Sequence, residues 1–149
     1  MAGKISTDLI RGHTDTIVLN VLRHGDSYGY QMYNTIIEMS DKQYELKEAT
    51  LYTAFRRLEK EGLISSYWGD ESQGGRRKYY RITDEGLDRY EQYKKEWHFA
   101  KRILDKLIEG GVPTYDEWKG FKQKSEILKD LAEGRIDIII GTHQLVNKN

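Results

Sequence analysis

At Gly62 the hydrophobic period of the chain changes, and that change limits the fold more than any other feature of the sequence. Upstream, Leu51, Ala54, Phe55 and Leu58 stand at i, i+3, i+4 and i+7, the apolar stripe of an amphipathic helix expected over Leu46 to Glu61. Its opposite face carries Thr50, Thr53, Arg56, Arg57 and Lys60, and Gly62 suits the left-handed residue that stops a helix. Downstream, Leu63 to Trp68 and Arg76 to Ile82 are short runs rich in aromatic and β-branched residues, joined by Gly69-Asp-Glu-Ser-Gln-Gly-Gly75. They predict a β-hairpin with a glycine-rich tip. Tyr80 and Ile82 alternate with Tyr79 and Arg81, so one tyrosine of the pair packs inward and the other faces out.

Helical spacing dominates the rest. Leu9, Ile10, Ile17, Val18, Val21 and Leu22 predict a first helix over Thr7 to Leu22, ended by the Gly25 turn. Asp26 or Ser27 is placed to cap a second, with Tyr28, Met32, Ile36 and Ile37 on its apolar side and its end near Ser40. Thr83 caps a long helix through about Ile108, with Asp84 and Glu85 at the positive end of its dipole and Leu87, Tyr90, Trp97, Leu104 and Ile108 on one stripe. Gly110, Gly111 and Pro113 end it. In the tail, Lys124 to Glu133 reads as a short helix stopped by Gly134, and Ile136 to Ile140 is a β-prone run whose free edges call for a partner strand in a second copy or for local disorder. A chain of 149 residues holds one domain with its own core and a helix or two beyond it. The expected division is 1–82, 83–112 and a tail, 113–149.

The 24 basic and 24 acidic side chains cancel, but Arg56, Arg57, Arg76, Arg77, Lys78 and Arg81 are crowded into two short segments. A neutral total can therefore hide a basic face. No apolar run approaches the roughly 18 residues of a membrane span, and the first residues lack a secretory or transit pattern, so the chain is expected in the cytoplasm. Without cysteine there is no disulfide, thiolate chemistry or cysteine-based zinc site. His13, His24, His98 and His143 have no metal-ligand spacing, and neither a phosphate-binding loop nor a nucleophile elbow occurs. The sequence offers no cofactor site and no basis for an enzyme.

Three helices followed by a two-stranded hairpin is the order of a winged helix-turn-helix, mainly α with a small β-hairpin wing, in which the third helix enters the major groove and the hairpin reaches the neighbouring backbone. The arginine pairs stand on those two elements, where contacts to duplex DNA are made. The stretch Glu48-Ala-Thr-Leu-Tyr-Thr-Ala-Phe-Arg-Arg-Leu-Glu-Lys-Glu-Gly-Leu-Ile64, the run Gly74-Gly-Arg-Arg-Lys-Tyr-Tyr-Arg-Ile-Thr83 and the upstream Tyr28-Gly-Tyr30 resemble the PadR family, from about Ile5 to about Ile108. That resemblance implies a homodimer built on the C-terminal helix, repression at a dyad-symmetric operator, and often relief by a small aromatic or cationic ligand. It implies DNA contacts by Thr50, Tyr52, Thr53, Arg56 and Arg57 on the helix and by Gln73, Gly74, Gly75, Arg76, Arg77 and Lys78 on the wing. Where many relatives have proline or glycine before the helix motif, this chain has Lys47-Glu48-Ala49.

Other readings stand beside these. Arg56 and Arg57 could form intrahelical pairs with Glu59 and Glu61, and Tyr52 could pack between helices instead of touching DNA. Trp97 suits either a dimer-core anchor or a stacking surface for a planar ligand. The neutral charge also admits a winged helix used for protein docking. In the tail, Glu133 to His143 resembles a segment of RecG-type and transcription-repair-coupling helicase motors, without the motifs an ATPase needs.

Overall fold

The computed structural model describes residues 5–69 and 76–132. The chain divides into two compact units, Met1–Arg102 and Ile103–Asn149. In the first, α1 (Thr7–Ile10), α2 (Thr14–Leu22), β1 (Ser27–Tyr28), α3 (Gly29–Met39), α4 (Glu48–Lys60), β2 (Ile64–Trp68) and β3 (Lys78–Ile82) precede a long helix, α5 (Asp84–Glu109), which runs on into the second.

The core forms where the apolar stripes of three helices meet the inner face of the sheet. Val18, Leu19 and Leu22 of α2, Met32 and Ile36 of α3, and Leu51, Ala54, Phe55 and Leu58 of α4 are buried together with Leu46, Leu63, Ile64 and Tyr80. Phe55 stacks on Tyr80 with ring centroids 4.0 Å apart, tying α4 to β3. Tyr80 is thus the inward tyrosine; Tyr79 lies on the other face, stacked on Tyr67. The end of α4 is a Schellman turn: Leu63 N–H donates to Leu58 O at 2.9 Å and Gly62 N–H to Glu59 O at 3.0 Å, with Gly62 at φ +75°. Thr83 caps α5 as its sequence predicts, its Oγ1 accepting from Gly86 N–H at 3.0 Å while donating to Gly62 O at 2.7 Å.

Several expectations need correction. The helix foreseen over Thr7 to Leu22 is two: Gly12 at φ +93° separates α1 from α2, and Leu9, 73% exposed, does not join the core. Asp26 and Ser27 do not cap the following helix. Ser27 is buried in β1 and donates to Gln31 Oε1, Asp26 binds strand side chains, and α3 begins at Gly29 without a side-chain cap. The foreseen hairpin of β2 and β3 does form, and β1 joins it as a third strand, in the order β1-β3-β2. Both pairings are antiparallel, with Tyr28 opposite Tyr79 and Tyr79 opposite Tyr67 in one row. Helix α4 begins at Glu48, two residues later than foreseen; Leu46 is buried in the extended approach to it. Of the α5 stripe only Tyr90 is buried, covered by the Arg23 guanidinium 4.8 Å from its ring centroid.

In the second unit, α6 (Tyr115–Ala132) starts well before the Lys124 expected from the sequence. Thr114 and Glu117 account for it. Thr114 N–H donates to the Glu117 carboxylate at 3.3 Å, and Glu117 N–H to Thr114 Oγ1 at 3.2 Å, a reciprocal capping box directly after Pro113. The run Ile136 to Ile140 lies outside the described residues. Among those described, no helix is long and apolar enough to cross a membrane.

Candidate nucleic-acid interface

Helix α4 presents two flanks beside its buried stripe. At about 100° per residue, Arg57 lies about 140° around the helix from Tyr52, so the two point to opposite sides. Neighbouring contacts bear this out. Arg57 reaches back to α2, where its guanidinium binds both oxygens of Asp15, Nε at 3.1 Å from Oδ2. That carboxylate holds the guanidinium above its usual pKa. The intrahelical Arg57–Glu61 pair considered from sequence gives way to this interhelical one, and Glu59 is taken by Ser66, whose hydroxyl donates to it at 2.5 Å. Arg56 stays on the exposed face with Thr50 and Thr53, its Nη2 donating to Thr53 Oγ1 at 3.2 Å.

Tyr52, on the other flank, turns toward the wing. Its ring meets Phe55 edge-on at 5.7 Å, and its hydroxyl lies so close over the α-carbon of Gly29 that a Cβ there would overlap it. The result is a notch of about 430 Å³ bounded by Tyr28, Gly29 and Tyr30, by Tyr52 of α4, and by Arg76, Arg77, Lys78 and Tyr80. Of the predicted helix contacts, Tyr52 thus meets the predicted wing residues Arg76, Arg77 and Lys78 at one notch, which Thr50, Thr53 and Arg56 do not line. Arg57 stands away from it, on Asp15. Gln73, Gly74 and Gly75 lie outside the described residues. From sequence Tyr28 is expected on the apolar side of the second helix, and Tyr28-Gly-Tyr30 carries a resemblance without a place in the site; the structure puts all three at the notch, with Tyr30 exposed and Gly29 beneath the Tyr52 ring.

The wing's cations are held by rings. Arg76 lies 5.2 Å over Trp68, Arg77 4.7 Å over Tyr28 and Arg81 5.0 Å over Tyr67. Guanidinium groups in this state keep their charge and their outward N–H donors while their stems are fixed. Trp97 of α5 stands apart from this surface. It is 40% exposed, edge-on to His13 at 5.0 Å, in an apolar groove of about 380 Å³ that includes Ile10, Ile17, Met39 and Tyr90.

Three helices, a winged sheet and a notch lined by three cationic residues define a winged-helix nucleic-acid-binding protein. The chain matches the Transcriptional regulator PadR-like family over residues 18–92. An uncharacterized protein of Lysinibacillus sphaericus is 44% identical over 106 residues, 71% of this chain and 97% of its own length. Among solved structures, a transcriptional regulator from Clostridium thermocellum is 50% identical with a TM-score of 0.66, covering 70% of this chain and 99% of that one. A PadR family transcription regulator from Clostridium difficile is 39% identical with a TM-score of 0.58, over 65% and 99%. The chain belongs to the PadR family of DNA-binding transcriptional regulators. The likeness of its tail to helicase motors is not borne out, and Glu133 to His143 lies outside the described residues.

Proposed function

We propose that the protein is a repressor that binds a dyad-symmetric promoter operator as a homodimer, each copy setting the exposed face of α4 into a major groove and its wing on the flanking phosphates. One observation carries this reading: Tyr52 of α4 and Arg76, Arg77 and Lys78 of the wing line a single notch. A duplex lying against that surface meets Thr50, Thr53 and Arg56 as groove-facing groups and the wing cations as backbone contacts. Arg57, bound to Asp15, serves the packing of α4 on α2 more than the contact with DNA.

Dimerisation falls to α5, whose Leu87, Trp97, Leu104 and Ile108 are exposed along the stripe foreseen from sequence. Trp97 is the anchor of that contact. A small aromatic or cationic ligand stacked on Trp97 in the adjoining groove is the form an inducer would take. The residue divisions 1–82, 83–112 and 113–149 then correspond to DNA binding, dimerisation and a tail of separate role.

A gel shift with duplex DNA from upstream of the protein's own gene tests the reading. Retention that weakens steeply with salt is expected, and Arg76→Ala with Arg77→Ala should weaken all sequences alike and lower the salt slope by about one per lost phosphate contact. Absence of binding at low salt would instead favour a docking module, the alternative that the balanced charge supports.

A further inference from the structure

We propose that Asp26, in the turn between α2 and β1, is the positioning residue of the wing: it holds the outer face of the sheet through Tyr67 and Arg81, and through a row of rings it sets Arg77 at the DNA-facing notch. This rests on the reading that the wing contacts DNA.

The geometry runs without interruption. Asp26 Oδ2 accepts the Tyr67 hydroxyl at 2.5 Å and Arg81 Nε at 3.1 Å, with Arg81 Nη2 at 3.0 Å. One carboxylate thus clamps β2 and β3 together from outside the sheet. Tyr67 stacks on Tyr79 at 5.5 Å and 13°, Tyr79 meets Tyr28 edge-on at 5.4 Å, and Arg77 lies over the Tyr28 ring. These contacts follow from register. Tyr67, Tyr79 and Tyr28 are cross-strand partners, Tyr79 and Arg81 share one face of β3, and Arg77 stands immediately before that strand, two residues from Tyr79. None of the links passes through the buried core, which occupies the opposite face with Tyr80 and Ile64.

The chemistry explains why a carboxylate is suited to that end of the row. Long arginine side chains and tyrosines on a solvent-facing sheet surface are free to change rotamer, and ordering them when DNA arrives subtracts from affinity. A charge-assisted acceptor that takes a phenol and a guanidinium at once orders them beforehand. Asp26 is acidic and so gains nothing from phosphate itself. Its contribution to binding has to pass through the arginines.

The test uses the full chain and mixed-sequence duplex DNA across a salt series. Asp26→Asn and Tyr67→Phe should each weaken binding roughly tenfold, as expected when long side chains lose their preset pose. Both should leave the salt slope unchanged, because neither removes a phosphate contact. Asp26→Glu should restore most of the loss. Tyr67→Phe keeps the charge and the stack, so it decides the matter if Asp26→Asn fails to fold. The double variant should be no worse than either single one, and amide exchange at Tyr79 should rise in both. Tighter binding by Asp26→Asn would mean that the carboxylate merely repels DNA and would overturn the proposal. So would unchanged affinity in Tyr67→Phe while Arg77→Ala still lowers the slope. If Arg77→Ala leaves the slope intact, it is the wing's contact with DNA that fails.

Discussion

Tyr52 illustrates how much one side chain decides. Sequence left it between packing and DNA contact, and it does the first without forfeiting the second: its ring lies against Phe55 while 40% of its surface stays open. The space it occupies belongs to Gly29. A methyl group at that position would strike the Tyr52 hydroxyl and the ring carbon bearing it. Because the clashing atoms are the far end of a half-open side chain, Gly29→Ala should turn the Tyr52 ring aside at a cost of about 1 kcal/mol in urea denaturation, a dependence that Tyr52→Ala in the same chain should remove. Phe55 is the larger anchor. Fully buried between α4 and the sheet and stacked on Tyr80, it should cost about 3 to 5 kcal/mol when truncated to alanine. Its place was legible, since it sits mid-stripe in the strongest helical pattern. Which of two adjacent arginines would face away was not, because the acid that claims Arg57 lies 42 positions earlier in the chain.

At the scale of elements, the periodic extents of α4 and α5 are legible in the sequence, whereas the break at Gly12 that divides Thr7 to Leu22 into α1 and α2 is not. The stripe of α4, its glycine stop and the threonine cap of α5 were all readable from spacing and residue type. β1 escaped because two residues carry no periodicity; only the pairing of Ser27 with Tyr80 and Tyr28 with Tyr79 makes them a strand. The start of α6 was missed although its capping box was in plain sequence. Joining β1's approach to the wing gives the fold a defined acid response. The Tyr67 hydroxyl and then Arg81 outweigh desolvation and hold the Asp26 carboxyl below its ordinary value of 3.8. The unfolded chain therefore binds the proton more readily. Stability from this group is complete above that ordinary value and is lost as pH falls through the lower, folded one. Asp26→Asn should lower the urea midpoint near neutrality and flatten the acid limb of a stability–pH curve; an acid limb identical to the parent's would contradict the assignment.

For the whole molecule, the exposed stripe of α5 and the proposed dimer make a linked prediction. Trp97→Ala with Leu104→Ala should shift sedimentation toward the monomer. The same variant should also lose affinity for a two-half-site operator far more than for mixed-sequence DNA, since paired half-sites reward a preformed dimer.

The foot of α5 ties these scales together. Thr83 donates its hydroxyl to the Gly62 carbonyl and its amide to Leu63 O, and Gly86 fits against the same Leu63 carbonyl so closely that any side chain would be expelled. The last turn of α4 and the first turn of α5 are in effect one mortised joint. Tilting α5 at its base would carry α4 with it, so in the proposed dimer the angle at which two copies lean on one another would gauge how far apart their reading heads stand.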